Sequence, residues 1–288
     1  MRLIRNEPLK KHTSFRVGGP ADYFCVPENA EQLRAALHFA RERRLPVAVM
    51  GAGTNLLALD RGFRGLVVKL GGGLVGMKAK GRYLYVGSGV PLPKLVHYAV
   101  GKGLAGLEFL AGIPGSVGGA VAMNAGAWQK SIGAVISRVK VLDARGQEKV
   151  LSKKALHFSY RRSVLQRRKL IVTEVVLRLR RGKRPVMKKK VQEYLKLRAH
   201  RQPLGSPNAG SVFKNPPRKF AGQLIEAAGC KGWRVGDAQV SNKHANFIVN
   251  LGEAKAADII KLMTKVQKAV KRRLEPEIKI MVKSNYGY

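Results

Sequence analysis

Apolar positions in this chain change period several times, and each change marks an element. Leu33, Ala36, Leu37 and Ala40 recur at helical spacing behind Asn29, with Gln32 placed to close a capping box and Arg41–Arg44 in the last turn. The apolar run Val47–Met50 predicts a strand, as do Leu66–Leu70, Tyr83–Val86 and Ile136–Leu142. Pro91 opens a helix carrying Leu92, Leu95, Val96 and Ala99. Beyond Tyr160-Arg-Arg-Ser163 the pattern alternates: Ile171, Thr173, Val175, Leu177 and Leu179 face one way, Glu174, Arg178 and Arg180 the other. Arg181-Gly-Lys-Arg-Pro185 reads as a linker.

The last third opens with a basic helix over 186–201 and a loop from Gly205 to Pro217. A helix on Ala221, Leu224, Ile225 and Ala228 ends at Gly229. A strand at Asn246–Val249, a helix with Ile259, Met263, Val266 and Val270 in register, and a strand at Glu277–Val282 follow. The opening 70 residues or so read as β-α-β, and the last third as an α+β unit of its own.

Two stretches follow neither period. Leu110–Ala127 holds Gly112, Gly115, Gly118, Gly119 and Gly126 with Pro114. It breaks too often to be a surface helix or a membrane span. Bare backbone of this kind brings amide N–H groups close to a bulky or anionic ligand, and it equally suits a tightly packed buried loop. Gly51-Ala-Gly-Thr-Asn-Leu-Leu57 follows a strand, an arrangement that suits a diphosphate, but the third glycine of a Rossmann fingerprint is replaced by Leu56. The literal G-x-G-x-x-G, Gly71–Gly76, leads into a basic turn and a strand with no helix to carry a phosphate site, so that reading fails on context.

At 288 residues and 45% hydrophobic content the chain is globular, with room for two or three domains. Cys25 and Cys230 make no disulfide framework and fit a reduced, cytoplasmic protein. The N-terminus has no apolar h-region, and the six histidines show no metal-ligand spacing. Charge is the outlier: 55 Lys and Arg against 17 Asp and Glu, a formal +38. The basic residues are dispersed and no aromatic-interleaved basic motif accompanies them, so non-specific nucleic-acid binding at low salt is expected but no specific complex. Polyanionic ligands explain a handful of these charges; nothing in the sequence explains the rest.

Several separated blocks share one resemblance. Thr13-Ser-Phe-Arg-Val-Gly-Gly19, Gly51–Leu57, Gly112–Gly119 with Asn124-Ala-Gly-Ala127, Tyr160–Ser163, Ala209-Gly-Ser-Val-Phe-Lys-Asn-Pro216, Ser241–Phe247 and Glu275-Pro-Glu-Ile-Lys279 occur in family order over nearly the whole chain. The sequence resembles the UDP-N-acetylmuramate dehydrogenases, also called UDP-N-acetylenolpyruvoylglucosamine reductases, of peptidoglycan precursor synthesis. The short interval from Tyr160 to Ser211 is similar to the smaller form of that family, which lacks a loop that folds over the substrate. Where the pattern leads one to expect arginine and glycine after the last glutamate, this chain has Lys279 and Met281.

The resemblance implies an α+β protein: an FAD-binding domain of the vanillyl-alcohol-oxidase type over 1–183, in subdomains of about 1–70 and 71–183, then a substrate-binding α+β domain over 184–288. It implies non-covalent FAD, NADPH as hydride donor and UDP-N-acetylglucosamine enolpyruvate as substrate, in a cytoplasmic protein without metal or membrane partner and expected to be a monomer. Ser211 would donate the proton, aided by a nearby cation such as Lys214. Arg161 would hold the substrate carboxylate and Glu277 would assist at the enolate. FAD would be held by Arg16, Gly51, Gly53, Thr54, Asn55, Gly112, Gly115, Ser116, Gly119 and Asn124. The substrate would be bound by Tyr160, Arg198, Arg201, Lys214, Asn215 and His244. Read alone, each has a plainer role: Ser211 as a turn hydroxyl, Arg161 as a solvated arginine, Glu277 as a strand-edge charge, Arg201 as a helix-terminal charge and His244 as a satisfied core histidine. Trp128 and Trp233 are expected to pack. Two rivals remain: a flavin oxidoreductase of the same superfamily with another substrate, and a nucleic-acid-binding protein whose glycine loops are structural.

Overall fold

A computed structural model describes residues 1–282. The first unit is a four-stranded sheet in the order Ile4–Pro8, Pro20–Cys25, Phe63–Lys69, Val47–Met50. Its last three strands are parallel, as a β-α-β crossover through the helix Ala30–Glu42 demands. That helix buries Leu33, Ala36, Leu37 and Ala40. Asn29 caps it by accepting from Gln32 N–H at 2.9 Å, but the Gln32 amide oxygen accepts from Glu28 N–H instead of closing the expected box. Of the three arginines assigned to its last turn, only Arg41 lies in it; Arg43 and Arg44 lie past its end.

The second unit is a five-stranded antiparallel sheet, Glu148–Ser152, Ile136–Leu142, Ile171–Arg178, Tyr83–Gly87, Met77–Lys80. Met77–Lys80, read from sequence as a turn, pairs with Tyr83–Gly87. The alternating strand Ile171–Arg178 is central, and its polar-assigned face is covered in part: Val172 and Val176 are buried there, while Glu174 is half-buried and Arg178 exposed. The helices Leu92–Gly101 and Val117–Ala122 cover this sheet and join one core with the first unit's helix.

Chain expected to be linker is structured. Arg180–Arg181 pairs with Leu104–Ala105, and the basic helix starts earlier than anticipated, spanning Arg184–Arg201. It docks Met187 against Val100 and Ala105, with Val191 and Tyr194 on the main core, so it lies against the second unit.

The remaining chain forms the antiparallel strands Arg234–Val235, Ala238–Val240 and Ile248–Asn250, with helices Ala221–Ala227 and Ala256–Ala269. This module is sewn to the first unit at four points. Phe15, Val17 and Leu57 enter its core. Both carboxylate oxygens of Asp60 accept from Ala256 and Ala257 N–H, at 2.8 and 3.0 Å, supplying from across the interface the cap that Lys255 cannot. Asn250 donates to the Phe15 carbonyl at 2.9 Å. The final strand, shorter than expected at Lys279–Met281, lies parallel to Leu56–Ala58. Met281, where a glycine was anticipated, fills the first unit's core at 5% exposure. Residues 283–288 of the expected last domain lie outside the described residues.

Candidate active site

The two glycine segments abut. A Cβ on Gly51 would stand 2.2 Å from Ser116 Oγ, and one on Gly115 (φ +136°) 3.2 Å from Thr54 Oγ1. Thr54 donates to the Pro114 carbonyl at 3.2 Å, locking one turn to the other. Gly53 sits at φ +69° with its hypothetical Cβ 2.0 Å from the His12 carbonyl, a place closed to any side chain. Ser116 caps Val117–Ala122, its hydroxyl accepting from Gly119 N–H at 3.4 Å. The product is a trough of bare backbone between the first and second units.

Over this trough lies a cavity of about 350 Å³. Its floor is Gly51, Gly53, Thr54 and Asn55 facing Gly115, Ser116 and Gly119; Ser211, Arg161, Glu277 and Arg198 stand at its far side, contributed by the second unit, the long helix and the last module. Backbone bonds fix that far side. Glu277 N–H donates to the Val212 carbonyl at 2.8 Å, the Asn55 amide donates to the Glu277 carbonyl at 3.2 Å, and Lys279 N–H returns to the Asn55 carbonyl at 2.9 Å. Thus Ser211, Glu277 and the first glycine turn are held in one register. Asn246, 3% exposed, clamps the loop by accepting from Phe213 N–H at 2.9 Å and donating to the Phe213 carbonyl at 2.8 Å.

Arg161 adopts φ +56°, donates through Nε to Glu277 Oε1 at 2.5 Å and through Nη2 to the Gly126 carbonyl at 3.2 Å. Burial pushes the Glu277 carboxyl above its usual range, against the opposing pull of Arg161, Lys214 and Lys279. Arg198 donates through Nη1 to Gln202 at 3.2 Å, but its buried Nε has no partner among the described residues. Burial, with Arg161 nearby, lowers its pKa. A guanidinium left partly unpaired at the edge of a cavity is a receptor for an anionic or carbonyl-bearing ligand.

Eleven expected residues therefore line one cavity: Gly51, Gly53, Thr54, Asn55, Gly115, Ser116, Gly119, Arg161, Arg198, Ser211 and Glu277. The others lie elsewhere. Arg16 is exposed at φ +57° in the turn that buries Phe15 and Val17. Gly112 makes room for the Arg198 stem, 2.7 Å from a hypothetical Cβ. Asn124 is a buried brace, donating to the Ser159 carbonyl at 2.9 Å and accepting from Gly133 N–H at 3.0 Å. Tyr160 is 50% exposed, its hydroxyl accepting from Asn215 N–H at 3.3 Å, while Asn215 Oδ1 accepts from Ala221 N–H at 3.0 Å. His244 packs edge-on against Phe247 and accepts from Asn246 N–H at 3.2 Å; burial lowers its pKa. Lys214 donates to Glu275 at 2.6 Å, and Arg201 is exposed. Trp128 stacks on Tyr194 and Trp233 lies under Lys265, both as packing residues. Lining residues the sequence did not single out include Met50, Ile113, Gln202 and Phe247. Met50 and Ile113 border the glycine segments, and that adjacency was their only signal.

The trough fits a dinucleotide diphosphate. Its walls exclude Cβ atoms, it holds no carboxylate on the floor, and cations gather at the end where Ser211 stands. Residues 21–152 match the family model described as FAD binding domain. With an α+β module closing the far side, fold and cavity define an FAD-dependent oxidoreductase whose cofactor domain is of the vanillyl-alcohol-oxidase type. Residues 202–282 match the family described as UDP-N-acetylenolpyruvoylglucosamine reductase, C-terminal domain. The chain is 48% identical over 283 residues to UDP-N-acetylenolpyruvoylglucosamine reductase 2 of Symbiobacterium thermophilum, covering 97% of this chain and 92% of that protein. It is 46% identical to the reductase of Moorella thermoacetica, over 98% of this chain and 93% of the relative. The crystal structure of the Thermus caldophilus reductase superposes with a TM-score of 0.88 at 39% identity, covering 98% of this chain and 100% of that one. This chain belongs to the UDP-N-acetylenolpyruvoylglucosamine reductase family. Among the described residues no helix is long and apolar enough to cross a membrane.

Proposed function

We propose that this chain reduces UDP-N-acetylglucosamine enolpyruvate to UDP-N-acetylmuramate with NADPH, through bound FAD, in peptidoglycan precursor synthesis. The observation that carries the reading is the convergence of Ser211, Arg161 and Glu277 on the cavity floored by the glycine trough. Bound FAD would supply the hydride chemistry between NADPH and the vinyl carbon distal to the ether, and Gly51, Gly53, Thr54, Asn55, Gly115, Ser116 and Gly119 would hold it. The chain's own task is then to hold the substrate, stabilise negative charge beside the ether carbon and supply one proton there.

Arg161 is the group for the substrate carboxylate, because Glu277 and the Gly126 carbonyl fix its plane before any ligand arrives. Ser211 delivers its hydroxyl proton to the carbon bearing ether and carboxylate. Glu277, paired with Arg161 and pushed upward in pKa by burial, stands beside the carboxylate site to assist at the enolate. Lys214 is engaged with Glu275, so its part is electrostatic, acting on Glu277 and not as a relay to Ser211. Arg16 is assigned to the outer part of the cofactor. Tyr160, Arg201, Asn215 and His244 are assigned to the UDP-sugar, which extends beyond the cavity toward the exposed Tyr160 and Arg201. The enzyme is assigned as a monomer of the cytoplasm, a compartment that the buried free cysteines suit.

Ser211→Ala tests the assignment by separating half-reactions. NADPH bleaches the FAD absorbance of the variant at close to the wild-type rate, while reoxidation by the enolpyruvyl substrate falls by about 100-fold or more, the scale of a lost general acid. Equal survival of both half-reactions removes Ser211 from the mechanism.

A further inference from the structure

A second cavity, about 470 Å³, opens beside the one described. It shares Leu56 with it and little else. It is walled by the segment His157–Arg167, by Lys214 and by the returning chain Glu275–Met281. The permanent charges on its walls are Arg162, Arg167, Lys214 and Lys279, against the single carboxylate of Glu275. Their depth is graded. Arg162 and Arg167 are exposed at the rim, whereas Lys214 is 8% exposed and Lys279 half-buried.

Glu275 is too little counter-charge for this set. Its Oε1 atom already accepts from both Lys214, at 2.6 Å, and Arg162, at 3.2 Å. Lys279 is left on a neutral partner, donating to the Gln166 amide oxygen at 3.0 Å. Burial first, then the neighbouring Lys214, hold the Lys279 pKa below the ordinary lysine range. An ammonium desolvated beside another ammonium, facing a chamber large enough for a ligand, is stabilised by an anion entering that chamber. Guanidiniums at the mouth supply the planar donor geometry that oxyanions accept.

We propose that this chamber is a binding site for a phosphate-class oxyanion, held by Lys279 and Lys214 at its base and by Arg162 and Arg167 at its rim, separate from the FAD trough and from the UDP-sugar. The chamber exceeds a lone phosphate in volume, which favours an organic phosphomonoester over the inorganic ion. Arg167 takes no part in the reaction proposed above and Lys279 bears on it only through its charge near Glu277, so the Arg167 variant isolates the site.

The test is calorimetric titration of the FAD-saturated protein with inorganic phosphate and, separately, phenyl phosphate, at fixed ionic strength set with chloride. Saturable binding at one site per chain is expected, weakened tenfold or more in Lys279→Met and in the surface variant Arg167→Gln, which tests the site without touching the core. Tighter binding of phenyl phosphate identifies an organic monoester as the ligand class; equal binding identifies the inorganic anion. Binding unchanged in both variants reduces the effect to the overall +38 charge and overturns the proposal, as does the absence of saturation. Complete displacement by UDP at matched ionic strength also overturns it, by making the chamber part of the substrate cleft. Because the readout is binding to oxidised enzyme, it stands or falls independently of the reductase reaction.

Discussion

Arg161→Met isolates the electrostatics that hold the far side of the cavity. In the wild type the Arg161–Glu277 pair is mostly buried, with side chains 21% and 13% exposed. Removing one partner of a buried pair costs about 3–5 kcal/mol, and the residual exposure places this pair near the lower end, at about 3 kcal/mol. The loss depends on pH in a defined direction. Glu277 already titrates above its free value because burial disfavours its charge, and Arg161 is the strongest influence holding it down. Without Arg161 the folded-state pKa rises further. In the window between the wild-type and variant folded-state values, the variant binds a proton that the wild type has released. Its relative stability therefore falls as pH rises through that window, by about 1.4 kcal/mol per pH unit. Below the window Glu277 is neutral in both proteins, and only the hydrogen bond to Gly126 and some packing are lost, about 1 kcal/mol. Urea unfolding of FAD-free protein, followed by tryptophan fluorescence at pH 5 and pH 8, should show the smaller loss at pH 5 and a loss approaching about 3 kcal/mol at pH 8. Arg161→Met combined with Glu277→Leu should recover most of the pH 8 loss, since no charge is then stranded. A loss equal at both pH values would refute the assignment of Glu277 as a buried carboxyl held by Arg161.

Asn246→Ala strips both hydrogen bonds from Phe213 and leaves its buried N–H and carbonyl without partners. We expect destabilisation of about 2–4 kcal/mol in urea unfolding and slowed flavin reoxidation by substrate, with FAD affinity unchanged because Asn246 lies outside the trough. Gly53→Ala forces a Cβ against the His12 carbonyl at a positive φ. Flavin fluorescence titration should report FAD binding weakened by tenfold or more, about 1.4 kcal/mol, alongside strain of about 1–3 kcal/mol in unfolding. Wild-type affinity in that variant would mean that this turn does not shape the cofactor site.

The trough was legible because glycine and proline punctuate it against an otherwise periodic chain: the segments of Gly51 and Gly115 were singled out on residue type, and they abut, Gly51 against Ser116 and Gly115 against Thr54. Elements with one exposed face, such as Ala30–Glu42, were equally plain. Positions that depend on distant packing were not. Ile171–Arg178 alternates in sequence yet buries Val172 and Val176 on its polar-assigned face, because packing from elsewhere in the chain settles the matter. Arg181 looks like linker since its partner, Leu104, lies more than 70 positions upstream and a two-residue strand leaves no period. The cap supplied to Ala256–Ala269 by Asp60 crosses 196 positions, beyond any local rule. Among the expected site residues, Asn124 shows the limit well. Its type suits a ligand contact, but positive φ and two satisfied hydrogen bonds make it a brace. Tyr160 and Asn215 are likewise tied to each other, at the edge of the cavity instead of in its lining.

Anaerobic stopped-flow mixing of the reduced, FAD-loaded protein with UDP-N-acetylglucosamine enolpyruvate bears most directly on the function. The flavin absorbance should return in a single saturable phase, with one UDP-N-acetylmuramate formed per flavin reoxidised. Flavin that stays reduced in the presence of saturating substrate contradicts the reaction assigned here.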